Sequence, residues 1–81
     1  AVDINRVNGK KANDPDNRDA VKNLQKAFGS EPNSRENFGP TGSTKRTTPG
    51  GPPLDWSKKI EKDGKTIGEH HKDHLHESGQ G

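Results

Sequence analysis

The residues able to do chemistry gather in one short run of this 81-residue chain, Glu69-His70-His71-Lys72-Asp73-His74-Leu75-His76-Glu77, which holds all four histidines. Imidazoles titrate near neutrality, and a carboxylate beside one orients the ring and stabilises its cationic form. Cleavage of RNA by its own 2′-hydroxyl needs a base for that hydroxyl, an acid for the leaving 5′-oxygen and a cation near the phosphate. Glu69, His71, Asp73, His74 and His76 are the candidate catalytic residues for such a reaction, with Lys58, Lys45 and Arg46 as candidate phosphate contacts. This chemistry calls for no cofactor.

Metal binding is the competing reading of the same run. His70 and His74 lie four apart and would share a helix face; on a strand, His70, His74 and His76 would share a face instead, with Asp73 or Glu77 completing either set. Zinc accepts either arrangement, although the spacing matches no specific zinc signature and HExxH is absent. An adventitious zinc site is the expectation on this reading. The bland alternative is a polar segment whose histidines face water.

These residues need a scaffold, and the turn signal Asp63-Gly64 supplies the first part. Read as a type I′ hairpin, it sets Ile60 opposite Ile67, Lys58 opposite Glu69, Trp56 opposite His71 and Leu54 opposite Asp73. The face so formed carries Lys58, Glu69, His71 and Asp73 together. A slip of one residue would invert every assignment.

Upstream, Asp14-Pro15 reads as a helix start, an N-cap followed by a proline at the first helical position. Ala20, Val21, Leu24, Ala27 and Phe28 make an apolar stripe, and Gly29 ends it, so a helix is expected over 15–28. Residues 1–14 read as an N-terminal arm, either a short edge strand around Val2, Ile4 and Val7 ended by Asn8-Gly9 or a flexible terminus. Residues 29–53 are rich in Gly and Pro, with Phe38 the lone large apolar residue, and read as a loop. Its stretch Thr41–Thr48 brings hydroxyls, Lys45 and Arg46 together, a composition suited to phosphate. The expected domain is thus a single α+β module: one short N-terminal helix, then a small twisted antiparallel sheet, with long Gly/Pro-rich loops.

Composition narrows the setting. Only 20% of residues are hydrophobic and there is no Cys, so the core is thin and no disulfide or thiolate site can reinforce it. The net charge of +2 favours anionic partners only weakly. No run is long and apolar enough for a signal peptide or membrane span. The start at Ala1 and the end at Ser-Gly-Gln-Gly look like those of a fragment or a processed module of a larger protein.

The order of a short helix, a Lys/Gly/Pro-rich loop through Lys45-Arg46, then Trp56, Lys65, Ile67, Glu69 and the histidines resembles the C-terminal nuclease domains of bacterial toxins. The likeness is to the colicin and contact-dependent-inhibition kind, and within it to the ribosome-cleaving colicin ribonucleases. Asp73-His74-Leu75-His76 followed by Glu77 is similar to the Asp-x-x-His element of that family; Ile67-x-Glu69 with His74 offers a second alignment. The resemblance covers about the last forty residues and implies a twisted sheet carrying Asp, His and Glu. It also implies a metal-independent endoribonuclease acting on rRNA or tRNA, delivered from a bacterium into a target-cell cytoplasm and neutralised by a cognate immunity protein. The rivals from other classes are a partly disordered module that orders on a protein or nucleic acid and a His-rich metal-binding segment.

Overall fold

Alternation in Val2-Asp3-Ile4 sends Asp3 to the opposite side from its two neighbours. In a computed structural model, which describes residues 1–79, this stretch is β1 (Val2–Ile4), the edge of a five-stranded sheet. The chain then makes a small separate hairpin of β2 (Arg6–Val7) and β3 (Lys10–Lys11). Asn8 and Gly9 join them with φ of 54° and 79°, the positive pair that a type I′ turn requires.

Asp14 caps the first helical turn by accepting from the Asp16 amide at 2.9 Å. Pro15–Asn17 is a 3-10 turn leading into α1 (Arg18–Gly29), so the expected helix is present. Its inner face is rotated from the expected stripe. Val21 is fully buried, whereas Leu24 is 37% exposed and the polar Gln25 is buried instead. Val21 joins Leu75 and Ala12, with Ile4 and Val7 packed against them, in the small apolar core.

Gln25 is buried because it binds the next hairpin. Its amide donates to the Gly42 carbonyl at 2.9 Å, and its Oε1 accepts from the Thr41 amide at 3.1 Å and the Thr41 hydroxyl at 2.6 Å. Asn37 returns a bond to the Gln25 carbonyl at 2.7 Å. These groups belong to β4 (Ser34–Gly39) and β5 (Gly42–Lys45), joined through Pro40-Thr41. The expectation of a continuous loop over 29–53 is therefore corrected: its middle holds two strands, one central to the sheet. The stretch carries one large apolar residue because helix and hairpin meet through polar side chains that find their hydrogen-bond partners in one another and in the backbone.

The sheet order is β1-β7-β4-β5-β6, with β6 at Leu54–Asp55 and β7 at Leu75–Gly79, and every neighbouring pair is antiparallel. Each strand alternates between the faces, apart from a bulge between Ser34 and Glu36 in β4. Ile4, Leu75, Glu77 and Asn37 lie on the α1 side; Asp3, His76, Ser78, Glu36, Phe38 and Lys45 lie on the other, as the pairings Asp3–His76, His76–Phe38, Glu36–Ser78 and Glu36–Lys45 require.

Residues 56–74 cross this second face and contain α2 (Ile67–His70). The expected hairpin register is corrected here. Ile60 bridges Thr66 rather than Ile67, and the Glu61 amide donates to the Lys65 carbonyl at 2.8 Å. Gly64 has φ of 83° while Asp63 is not in the left-handed region, so the turn is a three-residue loop closed by a left-handed glycine, not type I′. After the shortened bridge, Thr66 and Glu69 form a capping box that starts α2. Helix replaces strand, and the pairs Lys58–Glu69, Trp56–His71 and Leu54–Asp73 do not form. Gly64→Val is expected to cost about 1–3 kcal/mol, the usual strain of a left-handed non-glycine residue. Asp63→Asn should cost less than half as much in urea unfolding; equal costs would contradict this turn.

A candidate active site on the face opposite the long helix

The register of three strands assembles the floor of the site. His76 on β7 stands between Asp3 on β1 and Glu36 on β4. Its Nδ1 lies 2.9 Å from Asp3 Oδ1 and its Nε2 3.2 Å from Glu36 Oε1. A ring with both nitrogens against carboxylates can donate to both only as the imidazolium. The Ser78 hydroxyl donates to the same Glu36 oxygen at 3.1 Å.

The carboxyls respond to this geometry. The His76 bond is the main cause holding Asp3 below the ordinary carboxylate range. For Glu36, burial is the largest single influence and acts upward. The bonds from His76 and Ser78, with the charges of His76 and Lys45, together outweigh it and hold the group below its usual value.

The other two imidazoles come from the end of α2 and the link to β7. His71 is the C-cap of α2. Its ring centroid lies 5.0 Å from that of Phe38, 5.0 Å from His74 and 5.4 Å from His76. Phe38, in turn, stacks on His76 at 5.6 Å, so one phenyl ring supports both layers.

Each of these two rings is oriented through Nδ1. That of His71 lies 2.7 Å from the Ile67 carbonyl, and that of His74 2.7 Å from Asp73 Oδ1. A carbonyl can only accept, so His71 carries its proton on Nδ1 and presents a bare Nε2 when neutral. Burial is the main cause that holds His71 below the ordinary imidazole value. The Ile67 bond opposes that shift, and the charges of His74 and His76 add to it. His74 has the opposite kind of partner. The bond to its ring holds Asp73 below the carboxylate range, and a carboxylate on Nδ1 is the arrangement that stabilises an imidazolium. Among the described residues, the Nε2 atoms of His71 and His74 make no protein hydrogen bond. A neutral ring and a carboxylate-backed ring thus stand side by side, each with one nitrogen fixed and one unengaged.

Lys45 supplies the cation. It is the cross-strand partner of Glu36, and its Nζ lies 5.1 Å from the centre of the Trp56 ring.

Of the residues singled out from the sequence, the fold therefore brings His71, His74 and His76 together, with Asp73 on His74 and Lys45 beside Glu36. The rest lie elsewhere. Glu69 is exposed, and its carboxylate turns back to the Thr66 amide and hydroxyl at 3.4 and 3.2 Å. Lys58 is exposed, and its charge bears on Asp55 rather than Glu69. Arg46 is only 8% exposed and holds the backbone: Nε donates to Gly51 O at 2.7 Å, Nη2 to Gly29 O at 2.9 Å, and Nη1 to Glu31 O at 3.1 Å and to Ser34. It is a structural clamp rather than a phosphate ligand.

The alternative metal set of His70, His74 and Glu77 does not converge. His70 pairs with Asp63 at 2.9 Å, and Glu77 is buried on the α1 side, where burial pushes its carboxyl up. No group of three or more His, Cys, Asp or Glu is placed to hold a metal among the described residues. None of their helices is long and apolar enough to cross a membrane.

Asp3, Glu36, Ser78 and Phe38 are site residues that the sequence does not single out. The alternation of Val2-Asp3-Ile4 turns Asp3 away from the core, but nothing in the sequence says what it meets. Glu36 and Phe38 share a face only once Ser34–Gly39 is known to be a strand. Comparison with known proteins adds nothing to this geometry, since no family model, curated protein or solved structure matches the chain.

Proposed function

We propose that the domain is a toxin-type endoribonuclease that cleaves RNA through the substrate's own 2′-hydroxyl, using histidines and no metal ion. The observation that carries this reading is the pairing of His71 and His74, 5.0 Å apart, with opposite orienting groups on Nδ1. His71 Nε2 takes the proton of the 2′-hydroxyl. The 2′-oxygen bonds to phosphorus and the bond to the 5′-oxygen breaks. The proton of the His74 imidazolium goes to that leaving oxygen, with Asp73 supporting the charged ring beforehand. Lys45 offsets the negative charge that grows on the phosphate. The products are a 2′,3′-cyclic phosphate and a 5′-hydroxyl.

The resemblance to bacterial toxin domains extends the proposal. It makes rRNA or tRNA the target, delivery from a bacterium into another cell's cytoplasm the setting, and an immunity protein over the histidine-bearing face the natural inhibitor.

The test is incubation of the chain with total RNA and with ribosomes, followed by mapping of the ends. Cyclic phosphate ends, an unchanged rate in excess EDTA and a bell-shaped rate against pH are expected. The acidic limb reports the base. Because burial holds His71 low, that limb should fall below the ordinary imidazole value of about 6.5. A rate abolished by EDTA, or 3′-hydroxyl products, would overturn the mechanism; inertness toward every RNA offered would overturn the function.

A further inference from the structure

We infer that Trp56 and its two flanking lysines form a nucleotide subsite that holds an unpaired base next to the cleaved phosphate. The chemical class that fits it is single-stranded RNA rather than duplex. The inference rests on the ribonuclease reading for its substrate, but on separate residues for its evidence.

Trp56 is the only tryptophan in the chain and takes no part in the apolar core. Its amide is fixed to the Ser43 carbonyl at 2.9 Å, which ties the residue after β6 to the sheet beside β5. Its indole remains half-buried, with Lys45 Nζ 5.1 Å and Lys59 Nζ 5.7 Å from the ring centre. Each lysine holds its charge over an electron-rich face, a contact that is weak at a solvent-accessible site. Neither ammonium group makes a salt bridge with a described carboxylate.

An indole beside two lysine ammonium groups matches what a single-stranded nucleotide offers. The base has a π-face to stack, and the phosphates on either side carry the charge. The position matches as well. Lys45 connects the two regions, being the cross-strand partner of Glu36 in the site floor and a neighbour of the indole. A phosphate held by Lys45 therefore has the imidazole cluster on one side and Trp56 on the other. A paired base has its faces covered by its neighbours in the helix and would have to leave the stack to reach the ring.

With no tyrosine and a single tryptophan, intrinsic fluorescence reports on Trp56 directly. The probe is a short single-stranded 2′-O-methyl RNA, which cannot be cleaved because its 2′-oxygen carries no proton. The controls are the same strand annealed to its complement, and inorganic polyphosphate. Saturable quenching by the single strand is expected, at least about 10-fold tighter than by the duplex and absent with polyphosphate. By titration calorimetry, which does not need the indole as reporter, Trp56→Leu should weaken binding of the single strand by roughly 10-fold, within the range seen when a stacking aromatic is removed, and Trp56→Phe should restore most of it. Lys45→Ala should reduce the dependence of binding on salt.

Binding of the single strand without quenching, or equal quenching by duplex or polyphosphate, would overturn the inference. If Trp56→Leu fails to fold, quenching of the unsubstituted protein and the affinity of Trp56→Phe decide the matter. Quenching by the uncleavable strand with no cleavage of natural RNA would leave the subsite standing and remove the nuclease. Cleavage with no quenching would do the reverse.

Discussion

Replacing His71 or His74 by alanine is expected to slow RNA cleavage by about 100- to 10,000-fold, the scale of a positioned acid or base. The two losses should differ in their pH signatures. Without His71 the acidic limb of the profile should disappear, since the group whose deprotonation sets it is gone. Without His74 the alkaline limb should go instead. Asp73→Asn gives a finer test, because it keeps the shape of the His74 contact but removes the charge that supports the imidazolium. The loss of maximal rate should then be smaller than that of His74→Ala. His76→Ala is expected to differ in kind. Its ring joins β1 to β4 through Asp3 and Glu36, so its removal should lower the thermal midpoint together with the rate. All three histidine variants retaining wild-type rates would remove catalysis from this face.

The histidines are visible in the sequence because they are rare residues packed into one run, and their chemistry can be read without a fold. Their arrangement is not visible, for a reason that lies in two turns. Asn8-Gly9 and Asp63-Gly64 are both hairpin signals, yet only the first adopts positive φ at both residues. Around Asp63, the carboxylate instead accepts from the Lys65 amide at 3.0 Å and meets His70. That local bond competes with the type I′ geometry and lengthens the loop by one residue. The shift of register leaves Thr66 free to cap a helix, and it takes Glu69 out of the site and into the cap.

The strand β4 is hidden differently. Periodicity finds strands by their apolar face, and β4 packs Asn37 and Ser34 inward against hydrogen-bond partners rather than against a core. Glu36, the carboxylate beneath the imidazoles, therefore falls in a stretch whose composition reads as loop. The long helix is legible because Asp14-Pro15 and Gly29 mark its ends locally. Its facing is not, because Gln25 is buried by a network that no hydrophobic pattern records.

Arg46→Ala is expected to unfold the domain or to lower its stability by about 2–6 kcal/mol, the cost of leaving two acceptors without a donor. A small domain has only about 5–15 kcal/mol in total, so loss of the cooperative transition at 37 °C is the expected outcome. The guanidinium fork gathers carbonyls from four places: Gly29 at the end of α1, Glu31 in the turn that follows, Ser34 at the start of β4, and Gly51 in the Pro-rich link to β6. The cation also sits at the C-terminal end of a helix, where the aligned peptide dipoles favour it. Removing it takes a donor from the part-buried Gly29 and Gly51 carbonyls and from Ser34, at about 1–3 kcal/mol for each one that finds no substitute, while the Glu31 carbonyl keeps the Ser34 amide and hydroxyl. Lysine should recover little, because a single ammonium cannot reach carbonyls arranged for a planar fork. The neighbouring residue gives the contrast. Lys45 points to the opposite face, beside Glu36 and Trp56, so Lys45→Ala should leave the thermal transition near that of the wild type while weakening RNA binding most strongly at low salt. Calorimetry and binding measured across a salt series separate the two. An Arg46→Ala protein with an unchanged transition and weakened, salt-sensitive RNA binding would return Arg46 to the phosphate-binding role that its place in the sequence implies.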